Sequence, residues 1–256
     1  MFQGLDRFAE HFKGFENSYV LIGGVACTLW MEHQGLSFGR VTKDLDIVIV
    51  VEALSTDFIK RFWDFVYQAG YEALQRSTDK KVCYRFSKPG KKEYPFMLEL
   101  FARNPFNLEP EKGVILTPIP ASDALSSLSA ILMDEGYYSL VMTMKTQTNR
   151  FALPIIPASA LIPLKAKAWL DLTLRKKNGE QVDEHDIKKH RRDIFLLTRT
   201  LTAEKIPVPE TLAADIQDFL NQMQKLPKEE RVNLEKALSF DMKAAIGRLR
   251  GIYSKE

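Results

Sequence analysis

Cysteine is scarce in this chain, with only Cys27 and Cys83 among 256 residues. They stand far apart, which excludes a disulfide framework and predicts two reduced, packed thiols in a cytoplasmic protein. Long apolar runs are lacking too. None approaches the roughly 20 residues needed to cross a bilayer, so no membrane partner is expected. The opening "MFQGLDRFAEHFKGFENS" mixes charges with phenylalanines and has no signal-peptide pattern. A strong charge of one sign is also missing. The formal net charge is +3, so the whole chain is no magnet for polyanions. Histidines number four, and His185 and His190 lie five apart, a spacing unlike the i, i+4 pair of a helical zinc site. With no cysteine nearby, zinc is not expected there. There is no internal repeat and no low-complexity tract.

What is present is an ordinary globular composition, 45% apolar, in a chain long enough for one large domain or two small ones. Residues 2–16 carry phenylalanines at helical spacing. "SYVLIG" reads as a short buried strand or the turn before a helix, and "GVACTLWMEHQG" as a helix ending near Gly35. "DLDIVIV" is a strand dense in β-branched residues. "STDFIKRFWDFVYQAGY" begins with a capping cluster and stops at Gly70. "KVCYRFSK" and "YPFMLELFAR" predict a hairpin around "KPGKKEY". "GVILTPIP", "YSLVMTMKT" and "FALPIIP" are further strand candidates. After about residue 155 the pattern turns helical: "ASALIPLKAKAWLDLTLRKK", "HDIKKHRRDIFLLTRTL", "ETLAADIQDFLNQMQKL" and "KEERVNLEKALSFDMKAAIGRLRGIYS". The expectation is an α+β chain with a mixed α/β domain over 1–155 and a helical domain over 156–256. Trp30, Trp63 and Trp169 read as core or interface residues. From Lys165 to Arg199 there are ten Lys or Arg against six Asp or Glu. That stretch is either a basic surface for a triphosphate or RNA, or a solvated helix face.

The chemistry lies in two aspartates inside a strand. Residues two apart on a strand project to one side, so Asp44 and Asp46 point together. Two ionised carboxylates so placed repel each other and resist desolvation. They escape by sharing a proton, by standing in water at a strand end, or by holding a divalent cation. Hard cations such as Mg²⁺ take carboxylate and phosphate oxygens, and a two-metal site serves an attacking oxygen and a leaving pyrophosphate. A third carboxylate is then needed. "FMLELF" supplies Glu99, whose neighbours Leu98 and Leu100 face the other way; the plain alternative is a solvated strand face. Upstream, a strand runs into Gly23 and Gly24 and then a helix, which sets backbone N–H groups beside an anion.

On these residues the chain resembles the nucleotidyltransferase superfamily with the polymerase-β-like fold, and within it the AbiEii/AbiGii-type toxin group. "GGVA" at 23–26 and "RVTKDLDIV" at 40–48 are similar to the front motif of that group. "LIPLKAKAWLDL" at 161–172 resembles its Lys-x-x-Ala helix, and "KKHRRDIFLL" at 188–197 its closing Lys-Asp-x-x-Asp helix. The likeness spans about residues 18–200. It departs in the longer gap from Gly24 to Asp44, and in His190, which stands where the closing motif has its first Asp.

The resemblance implies a nucleotidyltransferase fold of mixed sheet and flanking helices, followed by a helical domain, with the active site in the cleft between. It implies Mg²⁺-dependent transfer of a nucleoside monophosphate from an NTP to an acceptor hydroxyl, on a tRNA end or a protein. Gly23, Gly24 and Thr42 would bind the nucleotide, and Asp44, Asp46 and Glu99 the metals. Glu99 would also act as base, Lys165 would contact the triphosphate, and Asp193 would organise Lys165 or the acceptor. A cognate antitoxin is the partner that the toxin likeness implies. The competing expectation is a silent module on the same fold, binding nucleotide or protein.

Overall fold

In the computed structural model the described residues are 2–39, 42–76, 82–102, 117–118, 131–132, 134–148 and 151–255. They form two units. The first comprises Met1–Asp134 and Met144–Pro157, the second Glu135–Thr143 and Ala158–Glu256. The architecture is α+β, a mixed sheet with flanking helices and a helical C-terminal part.

The elements of the first unit follow in order: α1 (Leu5–His11), β1 (Tyr19–Leu21), α2 (Gly23–His33), β2 (Asp44–Ile49), α3 (Thr56–Ala69), β3 (Tyr71–Arg76), β4 (Val82–Pro89), β5 (Met97–Ala102) and β6 (Thr117–Pro118). The helix Glu135–Thr143 (α4) then belongs to the second unit, and the chain returns with β7 (Thr146–Gln147) and β8 (Pro154–Ile155). Among the described residues the sheet has eight strands in the order β6-β3-β4-β5-β2-β1-β8-β7. Strand β2 runs parallel to β5 and antiparallel to β1.

Local chemistry explains the boundaries. Ser55 caps α3 by accepting from the Phe58 N–H at 3.1 Å, and Gly70 ends it at φ 66°, a left-handed conformation that suits glycine. The apolar face of α3 presents Phe58, Phe62, Trp63, Phe65 and Val66. Phe12, which caps the C-terminus of α1, meets Phe58, Phe62 and Phe65, and Phe86 on β4 meets Phe62 and Trp63. An aromatic core therefore covers the sheet face that carries Phe86. Its paired neighbour on β5, Leu98, is fully buried on that same face.

The second unit continues with α5 (Ala158–Lys177), α6 (Glu184–Leu197), β9 (Ile206–Val208), α7 (Glu210–Gln224), α8 (Lys228–Leu238), α9 (Met242–Ile252) and β10 (Tyr253–Lys255), with β9 and β10 paired in parallel. Pro163 lies inside α5 and has no N–H to give the Ser159 carbonyl one turn back. The Tyr253 hydroxyl donates to that carbonyl instead, at 3.0 Å. Burial raises the proton affinity of this tyrosine well above the ordinary phenol range, so the hydroxyl stays a donor.

Two expectations from the sequence change here. "YSLVMTMKT", read as a strand, lies mostly in helix α4. Tyr137, Tyr138, Leu140 and Val141 are buried at helical spacing and the Tyr137 hydroxyl donates to Asp215 at 2.9 Å. The last helix, read as continuous, breaks at Ser239, which adopts φ 50°, and Asp241 caps a new helix by accepting from the Ala244 N–H at 2.6 Å. Of "GVILTPIP" only Thr117 and Pro118 are described, and residues 121–130 lie outside the described residues.

Replacing Tyr253 by Phe keeps the ring and removes the donor. We expect a loss of about 1–3 kcal/mol in urea unfolding, the cost of an unpaired buried carbonyl. Phe at 253 combined with Pro163→Ala should recover most of it, because the helix N–H returns.

Candidate active site

Three strands bring the acids into register. Asp46 on β2 pairs with Glu99 on β5, and Asp44 with Met97. Across the next pairing Arg85 on β4 stands opposite Glu99. Paired residues project to one face and alternate residues to the other. One face therefore carries Asp44, Asp46, Glu99 and Arg85. The other carries Leu45, Ile47, Leu98 and Leu100, all buried. The apolar alternates anchor both strands and leave the acids no freedom to turn away. Glu99 lies on the same face as the two aspartates and is 8% exposed, so it is no solvated edge.

The electrostatics follow from that register. Burial raises the proton affinity of Glu99 well above the usual carboxylate range, and the charge of Asp46 and a hydrogen bond with Asp46 raise it further. Arg85 opposes this: its Nε and Nη2 both donate to Glu99 Oε1, at 3.0 and 2.9 Å. The relief the structure shows for Glu99 is the Arg85 guanidinium. Among the described residues no group of three His, Cys, Asp or Glu is disposed as a ready-made cation site.

Gly23 completes the arrangement. It opens α2 at φ 65°, and a Cβ there would stand 1.7 Å from Asp46 Oδ2. The carboxylate thus lies directly on the glycine backbone, at a helix N-terminus whose cap residue, Ile22, makes no side-chain cap bond. The Ile22 N–H donates to the Asp46 carbonyl at 3.0 Å, which ties the strand to the helix start. Gly24 follows, buried in the first turn of α2. Thr42 is half-buried in the segment leading into β2.

The remaining predicted residues belong to the second unit. Lys165 on α5 and Asp193 on α6 form an ion pair at 2.8 Å, with residue exposures of 4% and 0%. Asp193 therefore orients Lys165. His190 is half-buried one turn earlier on α6, and His185 is exposed. The basic stretch is heavily paired within the unit: Lys167 with Asp215, Arg175 with Glu180, Lys176 and Lys188 with Glu184, Lys189 with Asp186, and Arg191 with Glu230. Sequence reasoning missed Arg85. The available signal was the hairpin itself, whose register sets the arginine of "CYRFS" across from the acid of "MLELF".

No family model and no curated protein matches the chain. Among solved structures it is similar to an antigenic nucleotidyltransferase-like protein from Paracoccidioides brasiliensis. The identity is 14%, the TM-score 0.43, and the match covers 92% of this chain and 90% of that one.

Two measurements check the geometry. Gly23→Ala should displace the Asp46 carboxyl and strain a left-handed backbone position, lowering stability by about 1–3 kcal/mol. Urea unfolding reads the loss. The second concerns pH. The folded chain holds the Glu99 proton more tightly than the unfolded chain, where a glutamate titrates near pH ~4.3. That contribution to stability is complete below pH ~4.3 and is lost as pH rises through the folded value. Glu99→Gln removes the loss. Between pH 4 and 8, unfolding free energies should therefore move steadily in favour of the variant relative to the parent.

Proposed function

We propose that this chain is a nucleotidyltransferase that moves a nucleoside monophosphate from an NTP to an acceptor hydroxyl and releases pyrophosphate. The reading rests on one observation, the apposition of Asp46 and Glu99 on parallel strands against the Gly23 backbone. Mg²⁺ bound there would be held by Asp44, Asp46 and Glu99 and would supply charge neutralisation for the phosphates. The residues of the chain do the rest. The first N–H groups of α2, at Gly23 and Gly24, face an anionic phosphate with the positive end of a helix. The Thr42 hydroxyl offers a further hydrogen bond to the nucleotide. Glu99 takes the proton of the acceptor hydroxyl. The acceptor oxygen then bonds to the α-phosphorus as the bond to the bridging oxygen breaks.

Lys165, oriented by Asp193, keeps in this reading the phosphate-binding role that the family resemblance gives it. A tRNA end or a protein side chain is the acceptor class. The AbiEii/AbiGii-type toxin role, with a cognate antitoxin, rests on the resemblance alone. A second reading is supported by Arg85, which already neutralises Glu99: a silent binding module on the same scaffold.

Thermal unfolding with each of the four NTPs, with and without Mg²⁺, separates the two readings. For the transferase we expect stabilisation of several degrees that needs both nucleotide and metal and is abolished by Asp44→Ala and by Asp46→Ala. Stabilisation by nucleotide alone supports the module. Label from an NTP appearing in cellular RNA or protein then identifies the acceptor.

A further inference from the structure

The nucleotidyltransferase reading gives the phosphates of the nucleotide their contacts and gives its base none. We propose that Phe96, braced by Lys43, is a stacking platform for a nucleobase at the edge of the acid site. The proposal takes its ligand class from that reading and its geometry from the sheet. Strand β1 runs antiparallel to β2, so the chain leaves β1 toward Gly23 at the end where β2 begins. Strand β5 is parallel to β2 and begins at that end too, with Met97 opposite Asp44. Lys43 and Phe96 immediately precede these two strands, and the Lys43 ammonium lies 5.7 Å from the centre of the Phe96 ring. The start of α2, an aromatic ring and a lysine therefore gather at the end of the sheet nearest the acids. Phe96 precedes Glu99 by about 10 Å along the chain, a span that a nucleotide bridges between its base and its phosphates.

An exposed apolar side chain alone needs no explanation. Phe96 has a particular setting. It is 44% exposed, whereas the other exposed aromatic among the described residues, Tyr67, stacks on Trp63 at 5.6 Å. The turn that carries Phe96 is fixed from two sides. The Tyr71 hydroxyl donates to the Pro95 carbonyl at 2.6 Å, and the Gln3 side-chain amide donates to the Tyr94 carbonyl at 3.0 Å. Gly4 lies so close that a Cβ there would stand 2.3 Å from the Pro95 nitrogen. A ring displayed on so rigid a turn loses little freedom when it meets a flat partner. The Lys43 cation against one face of the ring steadies it and leaves the other face to a base. Stacking tolerates any base, because every base has a flat face. The four nucleotides should then bind with modest differences that follow base size.

Calorimetry on the full chain tests this with ATP, UTP, inorganic tripolyphosphate and a tetra-adenylate, with Mg²⁺ in every arm as the counter-ion of the phosphates. The proteins are the parent, Phe96→Leu, Phe96→Ala and Phe96→Trp, with circular dichroism as the check on folding. We expect Phe96→Leu and Phe96→Ala to weaken ATP binding about 5–100-fold. UTP should lose less, and tripolyphosphate, which has no base, should lose nothing. Phe96→Trp should keep or tighten ATP binding and add tryptophan fluorescence that ATP quenches. A loss seen with ATP assigns the platform to the incoming nucleotide, and a loss confined to the tetra-adenylate assigns it to the terminal base of an RNA acceptor. Parent-like affinity for both in Phe96→Leu, or an equal loss for tripolyphosphate, overturns the platform and leaves the transferase reading standing. The expected losses in a chain that transfers no label from any NTP keep the platform and overturn the transferase reading. A parent that binds none of the base-bearing probes overturns both. Where Phe96→Ala fails to fold, Phe96→Leu and Phe96→Trp decide the matter.

Discussion

The architecture of the first unit is organised by a contact that water would normally forbid, a carboxyl against a carboxyl. Asp46 and Glu99 meet because β2 and β5 are parallel and in register, and because apolar alternates on both strands leave them no other face. Like charges in a withdrawn site cannot both ionise at ordinary cost. Something positive must stand near them. In the structure that is the Arg85 guanidinium. The same demand underlies the cation role proposed above, so the stress and the proposed chemistry have one origin.

That contact constrains its surroundings. A Cβ at position 23 would occupy the place of the Asp46 oxygen, so the residue there must be glycine, and its φ of 65° excludes most alternatives independently. The hairpin of β4 and β5 has to enter with Arg85 opposite Glu99. A shift of one residue would exchange the faces of the whole strand and put Glu99 into the aromatic core with Phe86. Packing on one face therefore protects the register on which the polar face depends.

Much of this was legible in the residues. "DLDIVIV" declared its strand and its paired acids, Gly23 and Gly24 their turn into a helix, and Ser55 and Gly70 the ends of α3. Glu99 stood out as the one acid in an apolar run. The partner of Glu99 did not stand out, because an arginine in a hairpin reads as a solvated residue until the register is known. Two elements were misread for reasons of context. The Val and Thr of "SLVMTMK" favour strands locally, yet two buried tyrosines and the bond from Tyr137 to Asp215 hold α4. The break at Ser239 had a signature in "SFDMK", an acid three residues before an N–H it caps, but the apolar spacing on either side masked it. The ion pair of Lys165 and Asp193 could not be derived from spacing, since it depends on how α5 meets α6.

The helical unit shows the same logic with the signs reversed. Here a buried cation, Lys165, is matched by a fully buried carboxylate, and removing either partner would leave a charge stranded away from water. Such pairs seldom add stability over a well-packed apolar pair. Their effect is to penalise every other alignment of the two helices, because only one alignment brings Asp193 to Lys165. Pro163 and Tyr253 work alike: a proline that deprives a carbonyl of its donor makes one distant hydroxyl necessary, and so ties the end of the chain to the first turn of α5. In both units an interaction that is unfavourable alone acts as a constraint on geometry. That is what a site that must hold carboxylates to within fractions of an ångström requires of the scaffold beneath it.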